Sequence, residues 1–403
     1  MMTRPSRRQI VTCAASAFLL AGTATACGTF GSDGKAASGG GPSFTVAAAG
    51  DILIHPQLTE QARKDAKDTG KGEQGIDFGP LLAGARPVIS KADLGICHFE
   101  TVAGKPGGPF ESFPDFIVPP QIATAIKGAG YDQCSTASNH TLDHGLGGVT
   151  RTLDTLDKAG LRHTGSARNA AEAAKPLITE VKGVKVAQLS FSFGFNGREV
   201  PKDKPWIVNQ NDFDAIAAAE KKARSAGAEV VILSVHWGRE HQPEATSSQV
   251  GLARRIARET GINLVIGHHA HVVQPMEKVD GTWIAYGLGN QVARHDAPSG
   301  LTEEGVIGWF EFVERGGEWD VDAKYVPTLM DIPPDPNETG ALPKDAVKDH
   351  RLLDVAATLK DGEGLSEQQR ARYRLAFERT QGTLMNRGAA KDGLEPLQSL
   401  PGD

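Results

Sequence analysis

From residue 44 onward, short apolar runs alternate with amphipathic stretches, the pattern of β-strands joined by helices that cross back over a sheet. The apolar runs fall at 44–50, 94–99, 133–137, 184–191, 230–235, 264–267 and 283–286. Between them the spacing predicts helices at 59–67, 78–90, 120–129, 147–159, 212–226 and 247–260. Gly130, Gly160, Gly227 and Gly261 stand where C-terminal caps belong. Two later runs, 305–313 and 319–326, flank Gly316-Gly317 and predict an antiparallel hairpin. This order implies an α/β fold with a largely parallel inner sheet. A proline-rich break at 332–336 ends that pattern, and helical stretches at 352–359 and 366–383 predict a small C-terminal helical extension. No internal repeat is present.

The first 27 residues carry targeting information. Arg4, Arg7 and Arg8 form a positive segment, residues 10–26 are apolar or small, and Ala24-Thr25-Ala26-Cys27-Gly28 reads as a lipobox. Cys27 is therefore the expected lipidation site. The apolar stretch is short and rich in Ala, Thr and Gly, which favours a cleaved lipoprotein signal over a membrane span. Ser6-Arg7-Arg8 also fits twin-arginine export, so both export routes stay open. Residues 28–43 are a Gly/Ser/Ala tether. The expected organisation is thus a signal at 1–27, a tether at 28–43, a main domain at 44–330 and the extension at 331–403. The expected location is the outer face of the cell membrane.

Composition changes this picture little. The 403 residues are 39% hydrophobic and 23% charged, enough to bury a substantial core. The net charge of −6 argues against a nucleic-acid partner, which needs a basic face. Of the four cysteines, Cys13 leaves with the signal and Cys27 takes lipid. Cys97 and Cys134 lie in expected buried strands, either as two thiols or as a disulfide formed outside the cell.

The polar residues of interest follow directly after apolar runs: Asp51, Glu100, Asn139 and His140, His236, His269 and His271, and Asn290. Ligands of open α/β sheets gather at the carboxyl ends of strands, where loops converge on a rigid frame. One such residue is usually a cap; a succession of carboxylates, amides and imidazoles is a donor set for divalent metals. In an extended segment His269 and His271 share a face.

The strings Gly50-Asp51, Phe99-Glu100-Thr101, SNHTLDHG at 138–145, HWGRE at 236–240, GHHAHVVQP at 267–275 and YGLGN at 286–290 occur in the order seen in CapA proteins. The chain resembles that family, named for poly-γ-glutamate capsule synthesis and itself similar to calcineurin-like metallophosphoesterases. The resemblance covers residues 44 to about 326. It implies an αββα sandwich with mixed sheets and a one- or two-metal centre of Mn, Fe or Zn. It places Asp51 and His271 on one ion, Glu100 as the bridging carboxylate, and Asn139, His236 and His269 on the other. His140 becomes the imidazole that stabilises the transition state or protonates the leaving group. Asp51, Glu100 and His140 are thus the expected catalytic residues.

The sequence departs from the phosphoesterase pattern. Leu53 occupies the histidine position of Asp-x-His, the bridging residue is Glu, and His98 replaces the Asn that usually precedes it. These departures keep a metal-free acid–base site open as an alternative. Glu240 is expected to orient His236, and Asn290 to support the site from outside the ligand set. His55 reads as a loop residue or a replacement ligand, Asp143 and His144 as turn residues, Arg198 and Arg239 as surface ion-pair partners or contacts for an anionic substrate, and the aromatic stretch 110–116 as a lid, a substrate wall or a packed loop. Three functions follow from the resemblance: an enzyme acting on an extracellular anionic or peptide-like polymer, a polymer-binding component with a relic site, or a metal-dependent phosphoesterase.

Overall fold

The computed structural model describes residues 41–295, 299–334 and 346–401. The expected signal, Cys13, Cys27, most of the tether and much of the proline-rich break lie outside the described residues. Among the described residues, no helix is long and apolar enough to cross a membrane.

Two mixed sheets carry the fold. The first contains β1 (Ser43–Ile52), β2 (Leu94–Phe99), β3 (Gln133–Ser135) and β4 (Arg162–Thr164), all parallel. The second contains β5 (Leu177–Val181), β6 (Val184–Ser192), β7 (Val230–His236), β8 (Leu264–His268), β9 (Met276–Val279) and β10 (Thr282–Ala285). Its order is β5-β6-β7-β8-β10-β9, with β6, β7, β8 and β10 parallel and antiparallel strands at both edges. The short β11 (Asn290–Val292) runs alongside β1, and β12 (Glu304–Arg315) pairs with β1 from the other direction. β13 (Glu318–Asp331) forms the expected hairpin with β12 across Gly316-Gly317.

Alternation along the inner strands shows how the layers stack. Phe44, Val46 and Ala48 of β1 join Val230 and Ile232 of β7 in a core between the sheets. Ala47 and Ala49 face the other way, against α1 (Pro56–Thr69), α2 (Arg86–Ile89), α3 (Gln121–Ala129) and α4 (Gly145–Lys158). After the short α5 (Ala170–Ala173), α6 (Phe213–Ser225) and α7 (Ser247–Glu259) cover the outer face of the second sheet through Ile216, Ala223, Ala253 and Ile256. The result is the expected αββα sandwich. Each large side chain buried here, such as Trp283 or Phe310, contributes about 1.5–3 kcal/mol.

Some elements differ from the sequence reading. Residues 78–90 split into a 3-10 turn at Pro80–Leu82 and the four-residue α2. Pro87 starts a fresh helix at its fixed φ, and a Cβ at Gly84 would lie 2.1 Å from the Leu352 carbonyl, so a strand passes tightly there. That strand is β14 (Arg351–Asp354), the first half of the expected helix at 352–359; it pairs with β13 before α8 (Val355–Asp361) begins. α9 (Glu367–Met385) follows, and β15 (Glu395–Pro396) returns to β13. The C-terminal segment is thus helical as expected but also supplies two strands. α7 ends on an extended Thr260, whose hydroxyl donates to the Ile256 carbonyl, and not on a left-handed Gly261.

The C-terminal segment grips the main sheet at one point. Glu304, at the start of β12, is buried and accepts from Arg372 (2.6 Å) and Arg379 of α9; both arginines also donate to the Gly300 carbonyl, at 2.9 and 2.7 Å. Cys97 and Cys134 stand in register on β2 and β3 and are joined as a disulfide.

Candidate metal centre

The carboxyl ends of β1, β2, β3, β7 and β8 converge, and with them every strand-end residue picked out in the sequence. Asp51 closes β1 next to Asn290 of β11. This pairing requires glycine: a Cβ on Gly50 would sit 2.1 Å from the Gly289 carbonyl. The loop after β8 folds back with left-handed backbone at His269 (φ 92°) and His271 (φ 55°). His241 and Asn196, which line the same cavity, are left-handed too. Such conformations cost energy and persist where surrounding structure imposes them, often at functional sites.

Asp51 is the hub. One carboxylate oxygen bonds His268 Nδ1 at 3.0 Å; the other accepts from the His269 backbone N–H at 3.0 Å and faces His271 Nδ1 at 3.3 Å. His271 Nε2 lies 3.6 Å from Glu100, and its Nδ1 is 3.0 Å from the side-chain Oδ1 of Asn290. Asn290 in turn donates to the Thr302 carbonyl at 2.9 Å. Burial alone would push the Asp51 carboxyl up, but its bonds to His268 and His271 outweigh that and hold it well below the usual carboxylate range. Glu100 moves the opposite way: burial pushes it well above that range, with His271 only partly offsetting this and the Asp51 charge adding to it. Burial disfavours a charged His271, yet Glu100 and Asp51 push it up to about 10.

A second half of the site forms around His236. Its Nε2 lies 2.9 Å from the Asn139 carbonyl oxygen, and its Nδ1 lies 3.0 Å from His98 Nε2. Asn139 passes the chain on to Asn196 at 3.1 Å. The His269 ring lies 4.6 Å from that of His236, and burial together with the charge on His271 lowers it to about 4. Burial, with neighbouring imidazoles adding to it, also holds His236 and His98 well below the usual histidine value. His140 Nδ1–H donates to the Asp143 carboxylate at 2.7 Å, and Arg198 braces Asp143 and Asp115.

These residues meet the requirements of a cation site. Both oxygens of Glu100, His268 Nε2 and His269 Nδ1 are buried without a hydrogen-bond partner, an expensive arrangement unless another group satisfies them. Asp51, Glu100 and His271 present ligand atoms within 4.8 Å of one another, as do Glu240, His269 and His271. Asp51, His98 and His268 also meet that distance, but the His98 and His268 rings stack at 4.0 Å and 14°. Imidazole lone pairs lie in the ring plane, so two stacked rings cannot both aim at one ion. This trio is a support and not a ligand set.

The sequence reading did not single out His268, and it saw His98 only as a replaced asparagine. Both reveal their contacts only once β2, β7 and β8 are side by side. Glu240 was expected to orient His236; it stands instead at the exposed rim beside His269 and His271, and His98 takes the His236 contact. His55 packs against Phe116 and His295, and Leu53 lines the cavity without offering a ligand. The cavity over the site measures about 840 Å³, with Phe113, Phe116, His140 and Arg198 in its wall. Residues 112–116 of that stretch line the cavity, while Phe110 packs against the core.

The family described as bacterial capsule synthesis protein PGA_cap matches residues 45–295. The chain belongs to this family. It is 30% identical over 176 residues to the capsule biosynthesis protein CapA of Bacillus anthracis, covering 43% of this chain and 42% of that one. It is 30% identical over 172 residues to the PGA biosynthesis protein CapA of Bacillus subtilis, covering 41% and 44%. The match therefore spans less than half the length of these relatives. Among solved structures, the calcineurin-like phosphoesterase YfkN from Bacillus subtilis is similar over 84% of this chain and 100% of that chain, with 14% identity and a TM-score of 0.41.

Proposed function

We propose that this PGA_cap protein acts at the cell surface in making or processing a capsule-type extracellular polymer, through a divalent-metal centre that cleaves or transfers an amide or phosphoester bond. Family membership and the capsule-biosynthesis names of the Bacillus relatives support the polymer, anionic or peptide-like, as its partner. The lipobox supports export and attachment to the outer face of the membrane through Cys27. One observation carries the metal: the fully buried Glu100 carboxylate has no hydrogen-bond donor while facing Asp51 and His271.

In this reading Asp51, Glu100 and His271 hold one ion, and Asn139, His236 and His269 hold a second. A bound divalent ion would polarise the scissile carbonyl or phosphoryl oxygen and lower the pKa of a water. The chain's own residues do the rest. Asp143, braced by Arg198, fixes the His140 ring by accepting from Nδ1–H, so that in its doubly protonated imidazolium form the ring would hand the Nε2 proton to the leaving group. Phe116, buried, and Phe113, largely exposed, line one side of the cavity and offer an apolar surface to a bound substrate.

Elemental analysis for Mn, Fe and Zn on wild type and on Asp51→Asn/His271→Ala tests the proposal. Metal bound by wild type and lost in the variant is the expected result; no metal in either overturns it. Leu53, where a ligand would stand, favours a second reading, a polymer-binding component with a relic site. That reading predicts polymer binding without turnover.

A further inference from the structure

The contact between His98 and His236 is buried, joins an expected ligand to a residue outside the expected ligand set, and leads away from the cavity. Both rings are essentially inaccessible to water, at 0% exposure, so each ring N–H must find a protein acceptor. His98 Nε2 is 3.0 Å from His236 Nδ1, His98 Nδ1 is 2.8 Å from Ser135 Oγ, and Ser135 Oγ is 3.3 Å from the Cys97 carbonyl oxygen. At the other end His236 Nε2 meets Asn139 Oδ1 at 2.9 Å, and the Asn139 amide nitrogen donates to Asn196. The result is one unbranched chain, Cys97–Ser135–His98–His236–Asn139, running from a backbone carbonyl to the ligand cluster.

The chain has two self-consistent directions. Asn139 Oδ1 can only accept, so with no ion on His236 the proton sits on Nε2. His236 Nδ1 then accepts from His98 Nε2–H, and the Ser135 hydroxyl donates to His98 Nδ1. When an ion takes the His236 Nε2 lone pair, the proton must move to Nδ1. His98 Nε2 then becomes the acceptor, the His98 proton moves to Nδ1 and is donated to Ser135 Oγ, and the Ser135 hydroxyl turns to the Cys97 carbonyl. Each ring carries one proton throughout, so no charge is created in the buried layer.

We propose that His98 is a positioning residue for the metal centre: loading His236 reverses the Ser135–His98–His236 hydrogen-bond chain and switches the tautomers of both rings. The stack of His98 on His268, which bonds Asp51 Oδ1, keeps the His98 ring in plane for this and ties the two halves of the site together. Ligating histidines need an acceptor on their other nitrogen, and losing it typically weakens metal binding by about 10–100-fold. The proposal rests on the metal-centre reading.

Long-range ¹H–¹⁵N spectra of ¹⁵N-histidine-labelled full-length protein, with and without Zn²⁺ alone, test it directly. The expected result is exchange of the protonated nitrogen from Nε2 to Nδ1 in both His98 and His236 on loading. Zn²⁺ titration should also show one binding event about 10–100-fold weaker in His98→Ala, and weakened in the same direction but less in Ser135→Ala. Wild-type protein that takes up no Zn²⁺ overturns both this inference and the metal-centre reading. Wild-type protein that binds Zn²⁺ with unchanged tautomers, or with affinity untouched by His98→Ala and Ser135→Ala, overturns this inference alone. The spectra need no variant, so a His98→Ala protein that fails to fold leaves the test intact.

Discussion

His271 stands between two buried carboxylates, with Nδ1 3.3 Å from Asp51 and Nε2 3.6 Å from Glu100. One imidazole thus joins the ends of β1 and β2. Asp51 is saturated with donors, whereas Glu100 has none, so the two acids are unequal.

That inequality gives Glu100→Gln opposite effects in two conditions. In chelator, removing a carboxyl that burial penalises should stabilise the protein by on the order of 2 kcal/mol. With divalent metal added, the thermal stabilisation expected for wild type should largely vanish. Melting curves in chelator and in metal separate the two; a variant that melts lower in chelator contradicts the assignment.

The Cys97–Cys134 disulfide closes 37 residues of chain between β2 and β3. Chain-entropy reasoning puts its worth at about 4 kcal/mol. Replacing both cysteines by serine should lower the unfolding free energy by roughly that amount in urea. A double variant as stable as wild type would show that the bridge does not contribute to the stability of the folded protein.

Arg372 and Arg379 neutralise a buried Glu304. Removing both should destabilise the fold by about 3–5 kcal/mol, because a buried charge then lacks partners. Adding Glu304→Gln to that variant should restore part of the loss, as read by denaturant unfolding. No recovery would mean that the arginines act by packing alone.

Asp93 bonds the Thr45 N–H and hydroxyl at 2.8 and 2.9 Å and meets Lys182 at 2.9 Å. Burial pushes its carboxyl up, but Lys182 and Thr45 together hold it below the usual value. A depressed folded-state value means that its stabilisation is present above the unfolded value of about 3.9 and is lost as pH falls through the lower folded value. Stability measured from pH 5 down to 2 should therefore fall less steeply in Asp93→Asn than in wild type.

The apolar runs named seven inner strands with ends accurate to a few residues, because strands buried on both faces leave a near-continuous apolar signature. β4, β5, β9 and β11 were missed: β4 and β11 are three residues long, and β5 and β9 are short, part-exposed antiparallel strands at the edges of the second sheet. The helix expected at 352–359 begins only at Val355 for a related reason, since Arg351–Asp354 is claimed by the open edge of β13. At the site, residues directly after strands were legible one by one. His98 and His268 were not, because their meaning lies in a stack between strands from different sheets.

The PGA_cap match covers residues 45–295, and β12, which follows it, pairs with β1 from Ser43↔Val313 to Ala49↔Ile307. A polypeptide cut there would strip the neighbour from the very strand that delivers Asp51, baring its amides and the aromatic face that Phe310 and Phe312 fill. The segment after residue 295 is therefore part of the frame that holds Asp51 in place, and not an appendage to it.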